Sequence, residues 1–187
     1  MTRGWAFYAL GKPAPQGSKK GYIRGGRVSM VESSQYVEPW RDSIMAAGIG
    51  RLHYLDGPLV VRMIFTMRRT TTARKKDRAP FRQPDLSKLC RAAEDAITQI
   101  GGWADDARIV SYQRLAKVWT GYDPEALPLP GVIVAAAEWT DHEPHLLPHV
   151  EQCVSECYRR TDTKRPAFPR SMEKAGRSVA SPGQAED

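Results

Sequence analysis

The pattern that most constrains the fold lies at residues 85–100, where apolar side chains recur with the period of an amphipathic helix. They fall on one face: Leu86, Leu89, Ala92, Ala93, Ala96, Ile97 and Ile100. Gly101 and Gly102 follow directly and end the pattern. Because a helix with one apolar stripe must bury it against another element, we predict that residues 85–100 form a helix packed on a core.

Four other segments are typical of strands: residues 5–10, 59–67, 109–119 and 131–139. A second helix is predicted to begin at a cap on Ser33 or Ser34 and to run to Ala47, with Pro39 in its first turn. Residues 11–27 hold five glycines and predict a flexible basic loop or hairpin, with short strand pieces at 22–23 and 28–30. The order β, α, β, α, β, β indicates an α+β fold with a small mixed sheet and two main helices.

The composition changes at about residue 140. Residues 1–139 are expected to form one domain, and residues 140–187, rich in Pro, Ser and charged residues, to form a disordered extension with at most one short helix near 150–158. The extension contains His142, His145, His149, Cys153 and Cys157. Their spacing matches no standard zinc module, so we do not expect a structural Zn²⁺ site there.

The charge is also uneven. Of 28 basic and 21 acidic residues, 7 and 8 respectively lie in 140–187, which leaves residues 1–139 with a net charge of +8. A positive field of this kind suits a nucleic-acid partner.

The start of the chain has no secretory signal, and no apolar run is long enough for a membrane span. Three cysteines do not make a disulfide framework, which favours a cytoplasmic location.

Two basic segments are candidates for DNA contact. The first contributes Lys12, Lys19, Lys20 and Arg24, and the second contributes Arg68, Arg69, Arg74, Lys75, Lys76, Arg78 and Arg82. A run of charges is usually a solvated surface. The second segment, however, leads directly to Asp85, which favours a role in following a DNA strand, with strongly salt-dependent binding.

Carboxylates flank the predicted helix. Asp85 stands at its start, where it could equally be an ordinary N-cap, and the pair Asp105-Asp106 follows its end, where it could equally be a solvated turn. Lys88 and Arg91 share one polar side of the helix and could form surface ion pairs or contact phosphate. Carboxylates that share a hard cation, beside cations that hold a polyanion, suggest metal-dependent phosphodiester chemistry.

These residues resemble the RusA family of Holliday junction resolvases over about residues 4–139. The resemblance rests on Pro-Asp-Leu-Ser-Lys-Leu-Cys-Arg at 84–91, Gly-Trp-Ala-Asp-Asp at 102–106, and the opening Gly-Lys-Pro-Ala-Pro at 11–15. It implies a cytoplasmic homodimer, encoded by a bacterium or a phage, that binds four-way DNA junctions and cuts two opposed strands. Mg²⁺, or Mn²⁺, would be held by Asp85 and Asp106 with Asp105 beside them. Arg91 takes the place of an active-site lysine, and Lys88 and Arg91 would clamp the phosphate.

Two positions depart from the family pattern. Ser87 stands where the family has a further metal-binding aspartate, and Lys88 stands where it has asparagine. A hydroxyl can bind Mg²⁺ but adds no negative charge, so metal affinity should fall. The first alternative function is therefore a junction-binding protein with an impaired catalytic site. Two others are a nuclease of the restriction-enzyme type, which would need its first acid on a strand, and a structural protein that uses the tail to bind a partner.

Overall fold

The structure is a computed structural model that describes residues 3–17, 19–24, 27–32, 35–74 and 76–167, with the backbone alone for 19–24 and 27–32. Its strands are β1 (Gly4–Leu10), β2 (Lys19–Arg24), β3 (Arg27–Glu32), β4 (Leu59–Met67), β5 (Ile109–Trp119) and β6 (Gly131–Glu138). Its helices are α1 (Val37–Gly48), α2 (Leu86–Gln99) and α3 (Leu147–Arg160), and a 3-10 turn spans Asp106–Arg108. The predicted α+β fold is confirmed, and the third helix lies where at most a short one was expected, near 150–158.

The main sheet has the order β1-β6-β4-β5. Strand β6 is antiparallel to both of its neighbours, and β4 and β5 are parallel, so the sheet is mixed. A parallel pair needs a crossover connection, and α2 provides it between β4 and β5. The crossover places the start of α2 near the C-terminal end of β4, at one end of the sheet. Strands β2 and β3 form a separate antiparallel hairpin.

One face of the sheet is covered by α1 and α2. The alternate β4 residues Val61, Met63 and Phe65 face these helices, and Leu89 and Ile97 of α2 are fully buried against them. The helix ends at Gln99, and Gly101 then adopts φ +74°, a conformation that glycine takes without the steric penalty of a Cβ. The prediction of this helix and its buried face is confirmed.

The other face of the sheet is covered by α3, at the place where at most a short helix near 150–158 was expected. Its packing in the core corrects the prediction that this segment lies outside the folded domain. Its apolar residues recur at helical spacing and are buried against β1 and β6: Val150, Cys153, Val154, Cys157 and Tyr158. The folded unit thus includes residues 147–160, because the exposed face of the sheet needs an apolar cover. Residues 168–187 lie outside the described residues.

The first helix begins later than predicted. Its N-cap position is Tyr36, without a side-chain capping hydrogen bond, and Pro39 lies in its first turn as expected. Ser33 and Ser34, the predicted caps, lie outside the described residues. The apolar residues Trp40 and Ile44 still face the core.

A network of buried charges joins β4 and β5 to the loop that leads to β6. The guanidinium of Arg62 donates two hydrogen bonds of 2.7 Å to the carboxylate of Glu125, and both side chains are about 95% buried. Arg114 pairs with Asp123, with an Nη2–Oδ2 distance of 2.6 Å, and also with Glu125. Breaking one partner of such a network would leave a buried charge without compensation, so the 120–130 loop is held firmly.

Candidate nucleic-acid interface

Three segments meet at the N-terminal end of α2. The backbone N–H of Gln16, in the loop after β1, donates to the carbonyl of Lys88 at 3.0 Å. From β5, the ammonium of Lys117 donates to the carbonyls of Arg82 and Pro84 at 2.9 and 2.6 Å. These contacts fix the loop after β1 and the end of the 68–84 loop against the start of α2.

A cleft of about 420 Å³ lies between these segments. We call it the cationic cleft; its walls are Lys12, Pro13, Ala14, Pro15, Tyr36, Met67, Gln83, Pro84, Asp85 and Lys88. Lys12 is exposed, and its ammonium lies 5.2 Å from the centre of the Tyr36 ring. The cleft therefore presents cations and an aromatic ring beside a single carboxylate, a combination that suits a DNA backbone better than a cationic ligand.

Asp85 occupies the N-cap position of α2, but its side chain makes no capping hydrogen bond. Its carboxylate is about half exposed and pairs with Lys88, with an Oδ2–Nζ distance of 3.2 Å. Burial lowers the pKa of Lys117, and the nearby charge of Asp85 partly offsets this effect. The carboxylate thus faces two ammonium groups and leaves the first amides of the helix without a side-chain cap.

Ser87 and Arg91 are exposed on α2. They are four residues apart and therefore lie on the same side of the helix. Lys88, three residues before Arg91, borders this side. The predicted clamp residues are thus grouped at the first two turns of α2, near Asp85.

The second basic segment is more ordered than a run of solvated charges. Arg69 donates to the carbonyl of Arg74 at 2.7 Å and lies over the ring of Tyr122, with 4.6 Å from its guanidinium carbon to the ring centre. Arg74 pairs with the buried Asp77, with an Nε–Oδ1 distance of 3.3 Å. Arg69 is therefore engaged within the fold, whereas Arg68, Arg74, Lys76, Arg78 and Arg82 are exposed. Lys75 and the side chains of Lys19, Lys20 and Arg24 lie outside the described residues.

The other predicted carboxylates lie in the segment that leads from the end of α2 into β5. Asp105 accepts a hydrogen bond of 2.7 Å from the backbone N–H of Ala107 and so caps the 3-10 turn. Asp106 is exposed in the first position of that turn. We call Asp105 and Asp106 the acidic turn. Asp85, by contrast, stands at the opposite end of the 14-residue α2 helix in the chain.

The described residues of one chain do not form a closed metal site. Within 3–17, 19–24, 27–32, 35–74 and 76–167, no three Asp, Glu, His or Cys side chains are grouped so that they could hold an ion. The predicted ligands divide into Asp85 and Ser87 at the start of α2 and the acidic turn after its end. Among the described residues, the predicted ligands therefore do not form a group of three carboxylates, imidazoles or thiols within one chain.

Three polar groups between these two regions were not predicted. The thiol of Cys90 donates to a carboxylate oxygen of Glu94 at 3.2 Å and lies 3.4 Å from the hydroxyl of Tyr112, which itself donates to Glu94. Burial raises the pKa of the Cys90 thiol to about 12, and the charge of Glu94 adds to this rise. The only signal in the sequence is the i, i+4 spacing of Cys90 and Glu94, since Tyr112 comes from another element.

The histidines and cysteines of the tail face different environments. Cys153 and Cys157 are buried under α3, and burial raises the pKa of each thiol to about 11. His142, His145 and His149 are exposed. The two thiols are therefore part of the apolar packing of α3.

Compared with protein-family models and with curated proteins, the chain matches none. In the part of the chain that the structure describes, no helix has both the length and the apolar character needed to cross a lipid bilayer.

Proposed function

We propose that this protein is an endodeoxyribonuclease of the RusA type that binds four-way DNA junctions through the cationic cleft. The observation that carries the proposal is the arrangement at the start of α2. Lys12 and Lys88 line one cleft with the exposed carboxylate of Asp85, Lys117 binds the carbonyl of Pro84 next to it, and the first helix amides have no side-chain cap. A helix N-terminus and ammonium groups are the donors that phosphate oxygens require. Exposed arginines of the 68–84 loop extend the positive surface away from the cleft.

Binding would depend on phosphate contacts. Lys12 and Lys88 would each neutralise a phosphate and release counterions, so affinity would fall steeply with salt concentration. Arg91, which always carries its charge, would hold a phosphate in a fixed orientation. Asp85 would repel a phosphate unless a cation lay between them, and Lys88 already stands beside it at 3.2 Å.

Cutting requires more than one chain in this proposal. Because the carboxylates in the described part of one chain do not group, we assign no step of the reaction to a metal within a single subunit. A homodimer would supply a second set of Asp85 and acidic-turn carboxylates, and its two-fold symmetry would match two opposed strands of a junction. Mg²⁺, if held between such groups, would supply the nucleophilic hydroxide and neutralise charge on the phosphate.

A second function, junction binding without cutting, has its own support. Ser87 removes one anionic ligand, and the Asp85–Lys88 ion pair places an ammonium at the remaining carboxylate. Both features weaken a cation site while leaving the basic surface intact. The restriction-enzyme alternative is less favoured, because Asp85 begins a helix and does not lie on a strand.

The test is cleavage of an end-labelled four-way junction and a matched linear duplex, with Mg²⁺ or with EDTA, at modest salt. Paired nicks on the junction alone, lost with EDTA, are the result that the resolvase proposal expects. Tight junction binding without nicks would establish the impaired-site function, and restoring a carboxylate with Ser87→Asp would then be expected to recover cutting. A protein that neither binds nor cuts the junction would overturn both the resolvase proposal and the binding-only alternative.

A further inference from the structure

A second depression lies beside the cationic cleft, within the 68–84 loop. Its volume is about 260 Å³, and it shares Met67 and Gln83 with the cleft. The pocket is smaller than the roughly 300 Å³ at which sites for drug-sized ligands begin, so it suits one planar ring system. We call it the loop pocket.

Aromatic rings and hydroxyl groups form its walls. Phe81 is 64% exposed, and the guanidinium carbon of Arg82 lies 5.7 Å from the centre of its ring. Thr70 and Thr72 contribute hydroxyls that lie 3.1 Å apart. Trp119 contributes an indole that is 8% exposed, and its buried Nε1 has no acceptor among the described residues. A ligand with a flat π-face and acceptors on its edge matches these walls.

The loop that carries the pocket is tied down on several sides, so the pocket exists before any ligand arrives. Asp77 is buried and accepts from the backbone N–H of Arg74 at 3.0 Å. At the other end of the loop, Lys117 holds the carbonyls of Arg82 and Pro84. A preformed site loses less entropy on binding than one that must be ordered.

We propose that the loop pocket receives one unstacked nucleobase of a DNA strand whose phosphates lie on the cationic cleft. This proposal rests on the DNA binding proposed above and adds the kind of DNA that is bound. The base would stack on Phe81, the threonine hydroxyls would meet its polar edge, and Arg68 and Arg82 would contact the flanking phosphates.

A pocket for a single ring selects for branched or unpaired DNA. A base within a duplex can enter only after it leaves its stack, which costs free energy, and the cost is lowest for a base that is already unpaired. The loop pocket would therefore favour a junction with an unpaired base at the branch point over a fully paired junction.

The experiment measures dissociation constants by fluorescence anisotropy for three DNAs: a junction with one unpaired thymine at the branch point, the same junction fully paired, and a linear duplex. The variants are Phe81→Ala and, as the conservative control, Phe81→Tyr. The wild-type protein should prefer the unpaired junction by about tenfold, Phe81→Ala should lose this preference, and Phe81→Tyr should keep it. Affinity for the linear duplex should not change, since that DNA offers no free base.

Each other outcome has a distinct meaning. A wild-type protein that binds junctions without preferring the unpaired base, or a Phe81→Ala variant that keeps the preference, would overturn the loop-pocket proposal alone. A wild-type protein that binds none of the three DNAs would overturn the proposed function itself. Displacement of the DNA by micromolar free deoxynucleoside monophosphate, added as a competitor, would overturn the assignment to DNA.

Discussion

The two ends of α2 carry opposite charges and stand in different environments. At the N-terminal end, the cationic cleft holds the ammonium groups of Lys12 and Lys88. Hydrogen bonds to backbone carbonyls fix the loop after β1 and the end of the 68–84 loop beside it. After the C-terminal end, the acidic turn comes from one short segment and is exposed. The first region has the groups that hold a phosphate, and the second has the carboxylates that a hydrolytic site needs. Under the proposed function, DNA binding and DNA cutting would depend on different residues, which can be changed separately.

The largest expected effect separates cutting from binding. Asp106→Asn and Asp85→Asn should each reduce junction cutting by on the order of 100-fold or more, because each removes a carboxylate and keeps its shape. Affinity should stay within about twofold for Asp106→Asn and should rise for Asp85→Asn, which removes a charge that repels phosphate from the cleft. Gel-based cleavage and anisotropy on the same protein samples measure the two quantities. Asp162→Asn, at an exposed position just after α3 and therefore on the face of the sheet opposite α2, is the matched control.

Mixing the two variants tests whether both regions act in one site across two chains. A mixed dimer of Asp85→Asn and Asp106→Asn should regain part of the cutting if a site combines residues of both subunits, because one of its two sites then carries neither change. No recovery in verified mixed dimers would contradict the two-chain site.

The next effect concerns the salt dependence of binding. Lys12→Gln combined with Lys88→Gln should weaken junction affinity and lower the slope of log K against log salt by roughly 2, since two phosphate contacts are lost. Arg159→Gln, which removes an exposed charge at the end of α3, should leave the slope unchanged. Equal slopes for the double variant and the control would remove the cationic cleft from the DNA interface.

A smaller effect distinguishes the two residues of the acidic turn. Asp105→Ala should lower the free energy of unfolding by about 1 kcal/mol, because its carboxylate caps the 3-10 turn at 2.7 Å from the Ala107 amide. Asp106→Ala, which removes an exposed carboxylate, should change it by less than about 0.5 kcal/mol. Urea titration at pH 7 compares them, and similar losses would show that both aspartates support the turn.

The smallest effect is a pH dependence at Cys90, between the two regions. Its pKa is raised by burial from near 9 to about 12, so the stability linked to its protonated form is complete below pH 9 and is lost as pH rises toward 12. Between pH 7 and pH 9.5, Cys90→Ala should therefore lose less of its free energy of unfolding than the wild type, by under about 1 kcal/mol. Parallel losses in the two proteins would indicate that the thiol titrates normally.

Much of the fold could be predicted from periodic patterns. The apolar stripe of α2 and the apolar run at 59–67 predict a helix and a strand correctly, because each pattern is long and uninterrupted. The apolar stripe of α3 is equally regular at Val150, Cys153, Val154 and Cys157. The surrounding histidines, prolines and charges nevertheless make the segment resemble a disordered tail, so the sequence predicts a shorter helix than the structure has. Helix α3 covers the second face of the sheet. That this face is apolar and must be buried becomes visible only once the strands are assembled.

The site could be predicted only in part. Sequence indicated that Asp85, Ser87, Lys88 and Arg91 begin one helix, and their proximity follows from helical geometry. It could not show that Asp85 pairs with Lys88 in place of capping the helix, since both contacts are within reach of the same carboxylate. The sequence also could not place Lys117 near the start of α2, because the position of that residue depends on the register between the parallel strands β4 and β5.

The central position of the last strand affects how the chain is made. Strand β6 lies between β1 and β4, and Phe7 of β1 pairs with Val134, which lies 127 positions later in the chain. During synthesis, the edges of β1 and β4 that pair with β6 therefore remain unpaired until residues 131–138 emerge from the ribosome. Pairing between strands that are so far apart in sequence is slow. A product that ends before Gly131 would expose two apolar strand edges and aggregate, so a messenger that is cut short yields no partly folded sheet.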